Sequence, residues 1–141
     1  MPAPHSYPGP IPKPTPETKP FWDAAKQRLL RIQRCSDCGQ HYFYPRPLCP
    51  QCLSRNVEWV DCSGRGRLHT FVINYRPPRN FPVQEPLIIG IVELDEGARM
   101  MSNIVGVEAN PKHLRCDMPV EVVFEDITDA ITLPKFRPVK E

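Results

Sequence analysis

Four of the six cysteines fall into a pattern that can do chemistry. Cys35-Ser-Asp-Cys38 and Cys49-Pro-Gln-Cys52 are two Cys-x-x-Cys pairs with ten residues between them. Each pair predicts a tight turn that aims two sulfurs at one ion, and the spacer returns the second turn to face the first. Four thiolates so placed suit a tetrahedral metal site, with one structural Zn2+ per chain as the expected occupant. Iron in a rubredoxin-type site uses the same ligands, and the spacing does not separate the two metals. Two disulfides would need an oxidising compartment, and nothing in the sequence directs the chain to one. A closed four-thiolate site leaves no position for a reacting water, so the metal is read as non-catalytic.

Other reactive groups are scattered. His5, His41, His69 and His113 lie at no ligand spacing, and His41 near the cysteines is read as a surface residue. There is no glycine-rich phosphate loop and no nucleophile elbow. Cys62 and Cys116 have no assignable base and are read as inert thiols. No catalytic residue is assigned. One constellation remains, Tyr75, Arg76, Arg79 and Phe81 in a proline-rich loop. Two guanidinium groups and two aromatic rings suit the adenine and phosphates of coenzyme A or a nucleotide. A stiff surface loop with two ordinary arginines is the plainer reading.

The elements that must position these groups follow from the pattern. Residues 1–19 contain seven prolines, which lack a backbone donor, and read as a flexible arm, either a strap for a partner or a simple tail. Residues 20–33 predict a helix with Trp22, Ala25, Leu29 and Ile32 as its stripe. Phe21, Trp22 and Leu30 widen that stripe and offer a candidate partner interface. Residues 34–61 form the metal ribbon, with Tyr42–Tyr44 on the outgoing strand and Val57–Val60 on the returning one. Tyr42, Tyr44 and Arg46 could stack nucleobases, though aromatic residues beside a ribbon more often form its core.

From residue 62 the pattern becomes short strands. Ser63–Gly66 marks a module boundary. Arg67–Tyr75 alternates, with Leu68, Thr70 and Val72 expected on one face and Phe71, Ile73 and Tyr75 on the other. Leu87–Leu94 reads as a buried strand, Asp95–Gly97 as a hairpin turn and Ala98–Val105 as its partner strand. A strand around Val120–Phe124 and another over Ile131–Phe136 complete five, which predicts a small antiparallel barrel over residues 62–138.

Residues 1–60 carry eight basic and four acidic side chains, and residues 61–141 carry ten and twelve, so the barrel is mildly acidic. That argues against a phosphate-backbone binder. The longest aliphatic run, Leu87–Val92, is too short to span a bilayer, and the expected location is cytoplasmic.

As a set, these motifs resemble the DUF35 family. The resemblance rests on Pro20-Phe21-Trp22, Gln33-Arg34-Cys35 through Cys38-Gly39, Tyr44-Pro45-Arg46, Cys49-Pro50 to Cys52, Gly64-x-Gly66, Glu96-Gly97, Met118-Pro119-Val120 and Leu133-Pro134-x-Phe136. It covers roughly residues 20–138. It implies a mainly β chain: an N-terminal helix, a rubredoxin-like zinc ribbon and a five-stranded OB-fold barrel. It carries the metal role onto Cys35, Cys38, Cys49 and Cys52. It further implies a non-catalytic companion of a thiolase-superfamily (thiolase or lipid-transfer-protein-like) subunit in a hetero-oligomer acting on acyl-CoA. The companion would bridge subunits and help position the CoA portion. Asp117 departs from the glycine common at that position in relatives, and Asp tolerates a left-handed turn. The alternative is a single-stranded nucleic-acid-binding OB-fold protein, which the charge of the barrel disfavours.

Overall fold

The computed structural model describes residues 9–79 and 86–139. Phe81 and the first eight residues of the proline-rich arm lie outside the described residues. Among the described residues there are one α-helix, α1 (Lys19–Lys26), a short 3-10 turn at Pro111–His113, and eight strands. These are β1 (Arg31–Cys35), β2 (His41–Tyr42), β3 (Val57–Asp61), β4 (Arg65–Asn74), β5 (Leu87–Leu94), β6 (Arg99–Asn103), β7 (Pro119–Asp126) and β8 (Thr132–Pro138).

The helix is shorter than its apolar periodicity implies. It starts with proline in its first turn, where the missing N–H is no loss. It stops because Arg28 turns left-handed (φ 65°), and the N–H groups of Arg28 and Leu29 bond back to Ala25 and Ala24. Ile32, expected on the helix, lies on β1 instead. The expected partner face is also corrected. Phe21, Trp22 and Leu30 are only 2%, 8% and 2% exposed, because they pack into the chain's own interior. Phe21 meets Trp22 edge-on at 4.9 Å and Phe43 at 5.3 Å.

Strands β2, β1 and β3 form an antiparallel sheet in that order. The second sheet runs β6-β5-β4-β7-β8, antiparallel throughout, and a parallel bridge from Ile104 to Phe136 nearly closes it into a barrel. This is the expected mainly β fold with five barrel strands. One apolar cluster runs through both sheets, joining Phe21, Leu30 and Ile32 to Leu68, Val92, Val120 and Phe136. The junction is tied by the Cys62 N–H, which donates to the Leu30 carbonyl at 2.8 Å.

The expected alternation of β4 is overturned by a bulge. Leu68 pairs with Val92 and Thr70 with Ile91, so His69 is an extra residue. Leu68 remains inside, but Phe71 and Ile73 now share its side, while Thr70 and Val72 face out. Gly66 permits the closest approach of β4 and β5, since a Cβ there would stand 2.4 Å from the Glu93 carbonyl oxygen. Asp117 takes the left-handed conformation (φ 68°) just before β7.

Candidate metal centre and its surroundings

The two Cys-x-x-Cys turns are built alike. The Gly39 N–H returns to the Cys35 carbonyl at 2.8 Å, and the Leu53 N–H to the Cys49 carbonyl at 2.9 Å. Gly39 (φ 78°) and Leu53 (φ 64°) are both left-handed, as the tight reversal requires. The Cys35 N–H then bonds to the Gln40 carbonyl and the Cys49 N–H to that of Ser54, each at 2.9 Å. Asp37 holds the turns together, accepting hydrogen bonds from the Ser54 hydroxyl and the Asn56 amide.

These turns bring the four Sγ atoms within 4.8 Å of one another. Cys35 lies 3.6 Å from Cys52, and Cys38 lies 3.6 Å from Cys49. Thiolates at 2.3 Å from a tetrahedral zinc would be about 3.8 Å apart, so the donor set fits such an ion. Cys35 and Cys49 are fully buried, whereas Cys38 and Cys52 reach the surface. The Cys35 thiol is held down at about 7, first by the Cys38 backbone N–H beside it. Deprotonation favours metal ligation there.

The ribbon's polar groups brace the second turn. Gln33, 5% exposed, accepts from the Arg46 N–H at 2.6 Å, and the Tyr42 hydroxyl donates to the Arg46 carbonyl at 2.9 Å. Tyr42 is therefore an interior brace, which removes it from any base-stacking surface. Cys62 is half-buried, and its thiol is pushed up to about 12, first by burial and then by Glu96. It is no nucleophile at neutral pH.

The candidate CoA loop is solvent-facing. Tyr75 is 62% exposed, Arg76 and Arg79 are exposed, and the Arg76 N–H bonds to the Asn74 side chain at 3.0 Å. Tyr75, Arg76 and Arg79 follow β4 in the chain, and Phe81 is outside the described residues. A cavity of about 200 Å³ opens elsewhere, between Phe21, Phe43, Tyr44, Met101 and Pro134. No local pattern marks it, because it forms where α1 and the turn after β2 meet β6 and β8. Among the described residues, no helix is long and apolar enough to cross a membrane.

A four-cysteine ribbon packed on a five-stranded barrel defines a zinc-ribbon OB-fold protein. Residues 22–58 match the model of the ChsH2 rubredoxin-like zinc ribbon domain, and residues 59–125 match that of the ChsH2 C-terminal OB-fold domain. The chain belongs to the DUF35 family. It is 35% identical to a DUF35 domain-containing scaffold protein of Methanocaldococcus jannaschii, over 84% of this chain and 89% of that one. It is 38% identical to a probable enoyl-CoA hydratase alpha subunit of Thermomonospora curvata, over 84% of this chain but only 36% of that relative's length. It is 31% identical to the benzoylsuccinyl-CoA thiolase subunit BbsA of Thauera aromatica, over 71% of this chain and 66% of that subunit. A solved chain described as Ltp2-ChsH2(DUF35) aldolase superposes with a TM-score of 0.78 at 34% identity, over 91% of this chain and 98% of that one. These relatives carry the names of scaffolds or of subunits of acyl-CoA enzymes.

Proposed function

We propose that this chain is a non-catalytic subunit of a thiolase-superfamily complex that cleaves or transfers acyl-CoA by thiolysis, retro-aldol cleavage or acyl transfer. The observation that carries this reading is the near full-length likeness to the chain of the Ltp2-ChsH2 aldolase. Two features of the chain agree with it. The only cysteine cluster among the described residues is a closed metal set. The two cysteines outside that cluster are a poorly ionised thiol and a lone exposed one. In this reading the partner holds the reacting groups. This chain stabilises the partner and presents Tyr75, Arg76, Arg79 and Phe81 to the CoA portion of the shared ligand.

The test is affinity purification of the full chain from its own cell, with mass spectrometry and metal analysis of the same sample. A thiolase-superfamily protein in near-equal amount, with about one zinc per chain, is the expected result. A chain that purifies alone, or with nucleic acid, would overturn the reading.

A further inference from the structure

The outer face of the barrel sheet carries an ordered pattern that the metal site and the CoA loop do not use. Strands β4, β5 and β6 are in register, so their outward residues form rows across the sheet. Arg67, Glu93 and Arg99 make one row. Thr70, Ile91 and Met101 make the next, and Val72, Ile89 and Asn103 the one after. Asn74 pairs with Leu87 in a fourth. Four of the six residues in the two middle rows are apolar, yet they lie on the outward side. Val72 is 60% exposed and Met101 65% exposed, and Ile89 and Ile91 between them are half-buried. Strand β5 from Glu93 to Leu87 makes the face about 20 Å long.

Met101 also lines the cavity of about 200 Å³ beneath Phe43 and Tyr44. The flat face thus runs into a pit walled by aromatic and methionine side chains. Tyr44 at its lip is 44% exposed. A flat apolar face that ends in a pocket is the form of a protein-docking surface with one anchor side chain.

The charges at the two ends say what covers it. One end carries Arg67 and Arg99 around a single carboxylate, Glu93, which pairs with Arg99 at 3.2 Å. The other end runs into the loop with Arg76. Among the described residues, the row at one end therefore holds one more basic than acidic side chain, and the loop at the other adds Arg76. A second copy docking by a two-fold axis would set basic ends against basic ends, which disfavours a homodimer through this face. The middle rows hold aliphatic side chains where a nucleobase platform would hold rings.

We infer that the outer face of β4–β5–β6, with Val72, Ile89, Ile91 and Met101 at its centre, docks an enzyme subunit that offers an apolar patch flanked by carboxylates. This rests on the proposed accessory role and names the surface that serves it. Aromatic or aliphatic anchors in such a patch would enter the pit beside Met101. The carboxylates would meet Arg67, Arg99 and Arg76.

The test uses the full zinc-loaded chain and the thiolase-superfamily subunit recovered with it, produced separately and mixed. Val72→Lys with Met101→Lys changes two exposed residues, so zinc content and melting temperature should stay as in the native chain. Binding should weaken by about a hundredfold or more, as expected for a central patch. Leu29→Lys, at a partly exposed apolar residue just past the helix and away from this face, should bind as the native chain does. In the native complex, Met101 should be protected from peroxide oxidation, a readout that needs no variant. Native-like binding by the double variant, or an unprotected Met101, would overturn the docking face and leave the accessory role standing. Absence of any such enzyme subunit would overturn both. A native dimer that the double variant splits, or an oligonucleotide that only the native chain retains, would assign the face to a different occupant and overturn the inference.

Discussion

Arg28 and Asp126 meet end to end, with two hydrogen bonds of 2.8 Å between guanidinium and carboxylate. One ends the helix and the other ends β7, so the pair ties the first element to the barrel. It also pins Arg28 in a left-handed conformation that a non-glycine residue adopts only at a cost. Arg28 holds the Asp126 carboxyl well below the usual carboxylate range, and the buried Thr132 hydroxyl adds a hydrogen bond at 2.6 Å. A carboxyl lowered in the folded state contributes stability that is complete above its unfolded pKa, about 4, and is lost as the pH falls below that value. The melting temperature should therefore hold near neutrality and fall below about pH 4. Asp126→Asn should flatten that acid limb. An acid limb identical to the native one would show that the pair does not govern it.

The metal should control the whole chain. Structural zinc is worth about 10–16 kcal/mol in small zinc domains, against a net folding stability of about 5–15 kcal/mol. Cys35→Ser or Cys49→Ser should release nearly all zinc. Because Phe21, Leu30 and Ile32 share a cluster with barrel residues, the barrel's melting temperature should fall as well. Metal analysis and a thermal melt decide it. Full zinc content in either variant would refute the four-thiolate assignment.

Trp22 presents a different test. Its Nε1 is buried and finds no hydrogen-bond acceptor among the described residues. An unsatisfied buried donor costs about 1–3 kcal/mol, so Trp22→Phe loses packing but also removes that cost. The melting temperature should shift by less than about 4 °C, whereas Trp22→Ala, at about 3–5 kcal/mol, should lower it by more than about 10 °C. Equal losses in the two variants would mean that the indole N–H is satisfied.

Arg76→Ala with Arg79→Ala probes the CoA loop in the assembled complex. Charged hydrogen bonds are each worth about 1.5–3 kcal/mol, so the double variant should bind CoA esters at least about tenfold more weakly. Its melting curve should match the native one, since both side chains are exposed. Titration calorimetry with unchanged affinity would return these arginines to ordinary surface.

The metal site was legible because its information is local. Cys35 to Cys38 and Cys49 to Cys52 each close within four residues, and the left-handed residue follows each pair directly. The Asp95–Gly97 hairpin was legible for the same reason, with the Gly97 N–H returning to Leu94. The helix end was not. Leu29 and Ile32 continue a helical rhythm, and the side-chain partner that holds Arg28 where the helix breaks, Asp126, lies almost a hundred residues away. The docking face was hidden by excess. Every position from Leu87 to Val92 except Gly90 is apolar, so no alternation marks Ile89 and Ile91 as outward.

The extra residue at His69 reaches further than its size suggests. A strand that ran straight through His69 would turn Thr70 and Val72 toward the interior and set Phe71 and Ile73 in water. Deleting His69 would not do so, because Leu68, Thr70, Phe71 and Val72 would keep the alternation they already have. At this point of the chain, whether one residue is left unpaired decides inside from outside over half a strand.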